Sequence, residues 1–128
     1  MILDTSALLA ILFDEPEGPQ FLLQIVEAPL RVISAANMVE AWMVTDRHSN
    51  RAKATALDEL VKLLEVEVRS VDLVQARVAR RAFEKYGKGK HPAGLNFGDC
   101  FAYALTQVSG DKLLFKGGDF SHTDIAKA

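Results

Sequence analysis

The chain runs an apolar pair, Ile2-Leu3, straight into a carboxylate, Asp4, and then into Thr5-Ser6-Ala7-Leu8-Leu9-Ala10-Ile11-Leu12. A short apolar run of this kind reads as a buried strand, and the residues from Ala7 onward read as the start of a helix. Asp4 therefore falls at the carboxyl end of a strand, where open α/β sheets bind their ligands. Asp, Ser and Thr are also favoured helix caps, so Asp4 has a purely structural reading as well. Its role depends on whether other carboxylates reach the same edge.

The alternation continues along the chain. Asp14-Glu15-Pro16-Glu17-Gly18 breaks the first helix, and Pro16 suits the first turn of a second. Phe21, Leu22, Ile25 and Val26 recur at helical spacing until Pro29. Leu30–Ile33 is a second strand, and Ser34 caps a helix extending to His48 with an apolar stripe of Ala35, Met38, Val39, Trp42 and Met43. Glu40 lies on this helix among Ala36, Met43 and Val44. It is either solvated at the edge of the stripe or held for a purpose, because burying it without a cation is costly. Ala52–Leu64 reads as a helix through Ala56, Leu57, Leu60, Val61 and Leu64, and Val66–Val68 as a third strand. Val71–Tyr86 is a long helix with the row Val74, Val78, Ala82 and Tyr86, followed by a Gly- and Lys-rich loop over 87–94. Asn96 caps the last long helix and puts Asp99 in its first turn, near the positive end of the helix dipole. The predicted buried stripe of that helix is Cys100, Phe101, Ala104, Leu105 and Val108, with Asp99 off it in line with Tyr103 and Thr106. Gly110 ends it. After the last strand, Leu113–Phe115, the turn Lys116-Gly117-Gly118 delivers Asp119 to the position Asp4 occupies after the first. Asp124 is a further acid in the tail.

Strands alternating with helices imply βαβ units around a mainly parallel sheet, here as one domain spanning 1–128. Asp4, Glu40, Asp99 and Asp119 then gather at one edge. Four acids close together repel unless a cation neutralises them, and oxygen ligands suit Mg²⁺ or Mn²⁺. That combination is the chemistry of metal-assisted phosphodiester cleavage. The net charge of −2 means the molecule as a whole does not attract polyanions, so nucleic acid must be met by a local patch. Such a patch exists between Arg77 and Lys90, where six basic residues stand against one acid, Glu84. Arg77, Arg80, Arg81, Lys85, Lys88 and Lys90 either hold phosphates or form an ordinary solvated face. A single cysteine, Cys100, excludes an internal disulfide and reads as a small core residue, which suits a reducing, cytoplasmic compartment. No apolar run approaches the roughly 18 residues of a membrane span, and no signal peptide precedes the first strand.

Four blocks carry a family resemblance. They are Ile2-Leu3-Asp4-Thr5-Ser6-Ala7, Ile33-Ser34-Ala35-Ala36-Asn37-Met38-Val39-Glu40-Ala41, the stretch from His91 through Asn96-Phe97-Gly98-Asp99 to Ala104, and Leu113-Leu114-Phe115-Lys116-Gly117-Gly118-Asp119-Phe120 with Thr123-Asp124-Ile125 beyond. In order and spacing they resemble a PIN-domain ribonuclease, specifically the VapC toxins of bacterial toxin–antitoxin pairs, over essentially the whole chain. The resemblance implies a three-layer α/β/α fold with a five-stranded parallel sheet. It implies Mg²⁺- or Mn²⁺-dependent endonuclease action on structured RNA such as tRNA or rRNA, leaving 5′-phosphate and 3′-hydroxyl ends. It also implies a cognate VapB antitoxin that blocks the site, and a toxin homodimer. By position, Asp4, Glu40, Asp99 and Asp119 match the family's acidic residues, the expected metal ligands. Thr5 and Ser6 match its hydroxyl-bearing turn, expected to meet RNA. Gly118 departs from the acid or Asn that many relatives carry before the final Asp. That weakens a second metal site and leaves Asp124 as an alternative to Asp119.

A rival enzyme class begins from an Asp after the first strand, and a receiver-type phosphorylation domain also clusters acids at strand ends. A haloacid-dehalogenase-type phosphatase needs a second Asp two residues on, where Ser6 stands. A receiver domain needs an acceptor Asp after a central strand, and Val66–Val68 runs instead into Arg69-Ser70. A catalytically silent RNA- or partner-binding module remains the alternative to the nuclease.

Overall fold

The computed structural model describes residues 1–47 and 52–128. The elements are β1 (Ile2–Leu3), α1 (Thr5–Leu12), α2 (Gly18–Glu27), β2 (Val32–Ser34), α3 (Ala35–Arg47), α4 (Ala52–Leu63), β3 (Glu67–Arg69), α5 (Leu73–Tyr86), α6 (Phe97–Ser109), β4 (Leu113–Leu114) and a terminal 3₁₀ turn (Asp119–His122). The described strands form one parallel sheet in the order β3-β2-β1-β4, with Ile2 in register with Val32 and Leu113.

Successive strand residues face opposite sides, and this parity divides the core in two. Ile2, Val32 and Leu113 pack with Ala79, Ala82 and Tyr86 of α5 and with the buried side of α6. Leu3, Ile33 and Leu114 pack with Ala7 and Leu8 of α1, Ile25 of α2, Met38 and Ala41 of α3, and Leu57 of α4. The result is the expected α/β/α sandwich. The sheet has four strands where five were expected. The tail meets the β4 edge at one residue only, Leu113 bridging to Lys127, with Leu113 N donating to Ala126 O at 2.9 Å. A single bridge is too little for a ladder.

Several helix faces differ from the apolar pattern. On α3 the buried residues are Asn37, Met38, Ala41 and Thr45, while Val39, Trp42 and Met43 of the expected stripe are exposed. Buried polar side chains with their own hydrogen bonds, such as Thr45 Oγ1 to Trp42 O at 2.9 Å, rotate the true face away from the hydrophobic one. The end predicted at His48 lies outside the described residues. On α5 the buried row is Gln75, Ala79, Ala82 and Tyr86, with Val74 outside it, and Asp72 caps the helix by accepting from Gln75 N at 2.8 Å. α6 is buried on more than one side, adding Ala102, Tyr103 and Thr106, because α5, α3 and the sheet all pack on it; Val108 is exposed. α2 starts at Gly18 with Pro19, rather than Pro16, in its first turn. Gly18 is needed there, since a Cβ would lie 2.8 Å from Ala10 O on α1.

Candidate active site

The two readings of Asp4 are not alternatives. Its N–H donates to Leu114 O at 3.0 Å, which fixes it at the end of β1 beside β4. Its side chain then caps α1, with Oδ2 accepting from Ser6 N at 3.0 Å and from the Ser6 hydroxyl. Both bonds go to one oxygen. Oδ1 is buried and has no partner. Burial raises the Asp4 carboxyl above its ordinary range, opposed by Ser6, and the Glu40 charge adds to the rise. A buried carboxylate oxygen without a donor is costly.

Asp99 reaches the same place from α6. Asn96 and Asp99 form a reciprocal capping box, Asp99 N donating to Asn96 Oδ1 and Asn96 N to Asp99 Oδ2, both at 2.9 Å. The dipole end and this cap would ordinarily favour ionisation. Burial outweighs them and, together with the charges of Asp4, Asp119 and Glu40, pushes the Asp99 carboxyl up to about 7. The four expected carboxylates therefore do share one electrostatic neighbourhood. Glu40 comes in from α3 and lies against Gly98, where a Cβ would overlap its carboxylate. Asp119 is exposed at the first turn of the terminal 3₁₀ segment. Asp124 is engaged elsewhere: it accepts from Tyr103 Oη at 2.7 Å and lies 4.0 Å from Lys85 Nζ.

The donor set suits a hard cation, being carboxylate oxygen throughout, with one buried oxygen unclaimed. Among the described residues, no three His, Cys, Asp or Glu side chains are grouped tightly enough to cage an ion by themselves. Mg²⁺ does not require this, because it keeps several waters and takes one or two carboxylates together with substrate phosphate.

The hydroxyls of Thr5 and Ser6, expected to meet RNA, are engaged within the protein. Thr5 is buried and its Oγ1 donates to Asn37 O at 3.0 Å. Ser6 Oγ donates to Asp4 and accepts from Lys116 N at 2.9 Å, so it ties Asp4 to the segment leading to Asp119. Asn37 has no place among the residues singled out from the sequence. Its signals were its place inside the block Ile33–Ala41 and an amide one turn before Glu40 in an apolar run. The basic residues are all exposed, along α5 and the loop after it. Arg80 pairs with Glu84 at 3.2 Å, and Lys85 and Lys90 lie over the rings of Tyr86 and Phe83. Cys100 is buried as expected, and burial pushes its thiol up to about 11, which makes it inert at neutral pH.

Residues 1–126 match the PIN domain model. Ribonuclease VapC30 of Mycobacterium tuberculosis is 44% identical over 98% of this chain and 96% of its own length. Ribonuclease VapC of Mycolicibacterium smegmatis is 44% identical over 98% of each chain. Among solved structures, Mycobacterium tuberculosis VapC20, described as a sarcin-ricin loop cleaving toxin, superposes with a TM-score of 0.80 at 18% identity, covering 99% of this chain and 97% of that one. A toxin–antitoxin complex from Klebsiella pneumoniae contains a chain matching at TM-score 0.73 and 16% identity, over 96% of this chain and 92% of that one. Those two structural likenesses speak to the fold.

Proposed function

Because this chain belongs to the PIN-domain family, with VapC ribonucleases as its relatives, we propose that it is a divalent-metal-dependent endoribonuclease and the toxin of a toxin–antitoxin pair. The observation that carries the chemistry is the buried, unpartnered Oδ1 of Asp4, set beside an Asp99 whose carboxyl is raised by its acidic neighbours. Asp4 and Asp99 would hold Mg²⁺, or Mn²⁺ in its place, with Glu40 and Asp119 as further ligands, direct or through water. When bound, such a cation offsets charge on the phosphate oxygens and makes a water acidic enough to attack the scissile phosphorus at neutral pH. The chain's own residues set the geometry. Ser6 fixes one Asp4 oxygen and leaves the other without a partner, and the Asn96 N–H orients Asp99.

The basic face of α5 and its loop supplies the counter-charge for an RNA backbone. The expected substrate is a structured RNA of the tRNA or rRNA class, cut to leave a 5′-phosphate. The expected partners are a VapB-type antitoxin and a second toxin copy, in the cytoplasm. No helix among the described residues is long and apolar enough to cross a membrane.

The test is cleavage of a mixed tRNA and rRNA pool by antitoxin-free protein with Mg²⁺, with Mn²⁺ and with EDTA, alongside Asp4→Asn and Asp99→Asn. Discrete fragments that vanish with EDTA and in both variants support the proposal. RNA binding without cleavage under either metal would favour a catalytically silent binding module.

A further inference from the structure

Asn37 sits on α3 one turn before Glu40 and is fully buried. It touches two other elements. Its backbone carbonyl accepts from Thr5 Oγ1 at 3.0 Å, immediately after Asp4. Its side-chain Nδ2 donates to Gly98 O at 3.0 Å, immediately before Asp99. The carbonyl acceptor fixes the amide orientation, since only the nitrogen can donate to it. The segments carrying Asp4, Glu40 and Asp99 thus meet at one residue.

This arrangement is not the one stability alone would choose. With Nδ2 committed to Gly98, Asn37 Oδ1 is left buried without a partner. An apolar residue of the same shape would remove that cost. Local rules that a sequence breaks without a gain in stability tend to be broken at functional sites. The three carboxylates repel each other, and they stand on three different elements, Asp4 at the N-cap of α1, Glu40 within α3 and Asp99 in the first turn of α6, which that repulsion pushes apart. A cross-link between their backbones resists that relaxation.

We propose that Asn37 is a positioning residue, whose carbonyl and side-chain amide bracket the backbones of the first, third and last long helices so that Asp4, Glu40 and Asp99 stay within reach of one divalent cation. This rests on the metal-dependent nuclease reading above. It also reassigns Thr5, whose hydroxyl serves the bracket rather than the substrate.

The experiment uses the full chain and Mn²⁺ as the probe, followed by calorimetry without RNA, with RNA cleavage measured in parallel. Asn37→Leu removes the amide and keeps the branched heavy-atom skeleton. Thr5→Val removes the hydroxyl at constant shape, and Thr5→Ser keeps it. Loss of a group that orients metal ligands typically costs roughly 10–100-fold in affinity or activity. Asn37→Leu and Thr5→Val are therefore expected to weaken Mn²⁺ binding by about tenfold or more and to lower kcat while leaving KM for RNA near wild type. Thermal unfolding should stay cooperative, and Thr5→Ser should bind Mn²⁺ like wild type. If Asn37→Leu fails to fold, the Thr5 pair decides alone. Wild-type Mn²⁺ affinity in Thr5→Val with a raised KM would overturn the bracket and return Thr5 to RNA contact. Mn²⁺ affinity that falls equally in Thr5→Val and Thr5→Ser would overturn it too, because the hydroxyl would not matter. A wild-type protein that neither binds Mn²⁺ nor cleaves RNA would instead sink the nuclease reading, and this inference with it.

Discussion

Asp99 carries the clearest physical conflict in the molecule. It is a good capping residue in the first turn of α6, yet its carboxyl is pushed up to about 7, by burial first and then by Asp4, Asp119 and Glu40. In an unfolded chain an Asp titrates near about 3.9. The folded value is the higher one, so the folded state holds the proton more tightly. The Asp99 contribution to stability is therefore fully present below about pH 4 and is lost as pH rises through about 7. Asp99→Asn keeps an acceptor for the Asn96 N–H and removes the charge. In EDTA the variant should be more stable than wild type at pH 8, by on the order of 1 kcal/mol once solvent screening of this partly exposed group is allowed for. The gap should narrow at pH 5 and close only below about pH 4, where Asp99 is protonated in both the folded and the unfolded chain. Thermal unfolding of both proteins at the two pH values measures it, and an equal gap at both would show that Asp99 is not strained by its neighbours. Mn²⁺ should raise the wild-type Tm more at pH 8 than at pH 5, because the cation and the proton compete for the same carboxyl.

At the level of the elements, α3 is where hydrophobic patterning and packing part company. Met38 is buried between α3 and the sheet, whereas Met43, one turn and a residue further on, is exposed. Met38→Ala should cost about 2–5 kcal/mol and Met43→Ala no more than about 0.5 kcal/mol, read from urea unfolding. Equal costs would restore the stripe that the sequence suggests. The types and order of the elements were legible, because short β-prone runs, caps at Asn96 and Gly110, and the break at Pro29 are local signals. The faces were legible only in part. Asn37, Thr45, Gln75 and Thr106 are buried polar residues held by hydrogen bonds such as Asn37 Nδ2 to Gly98 O and Gln75 Nε2 to Ser70 O, both at 3.0 Å. Apolar periodicity cannot register a face built this way. It also miscounts α6, where burial on several sides erases the contrast between faces.

Over the whole molecule, the acidic site was legible for a different reason. Asp4, Asp99 and Asp119 each stand at the terminus of an element, so topology alone brings them to one edge, with no need to know side-chain packing. The bracket through Thr5, Ser6 and Asn37 was not legible, because it depends on which groups meet across 32 to 110 positions of chain. The basic face poses the remaining question at this scale, since a chain of net charge −2 must approach RNA locally. α5 and α6 form a helical hairpin, and the loop joining them puts Lys88 and Lys90 at the same end as Asp99, with Arg81 and Arg77 successively further along α5. A strip in that direction would track a phosphate backbone leaving the site. Each phosphate contact on single-stranded nucleic acid contributes about 0.7 to the slope of log affinity against log salt. Replacing Arg77, Arg81 and Lys88 together by Ala, in an Asp99→Asn background that leaves RNA uncut, should therefore reduce that slope by about 2. Arg80→Ala should change it less, because Glu84 already offsets that charge. Fluorescence anisotropy of a labelled RNA across a salt series reads both. An unchanged slope in the triple variant would make the strip a solvated helix face and move the RNA path to another side of the acidic edge.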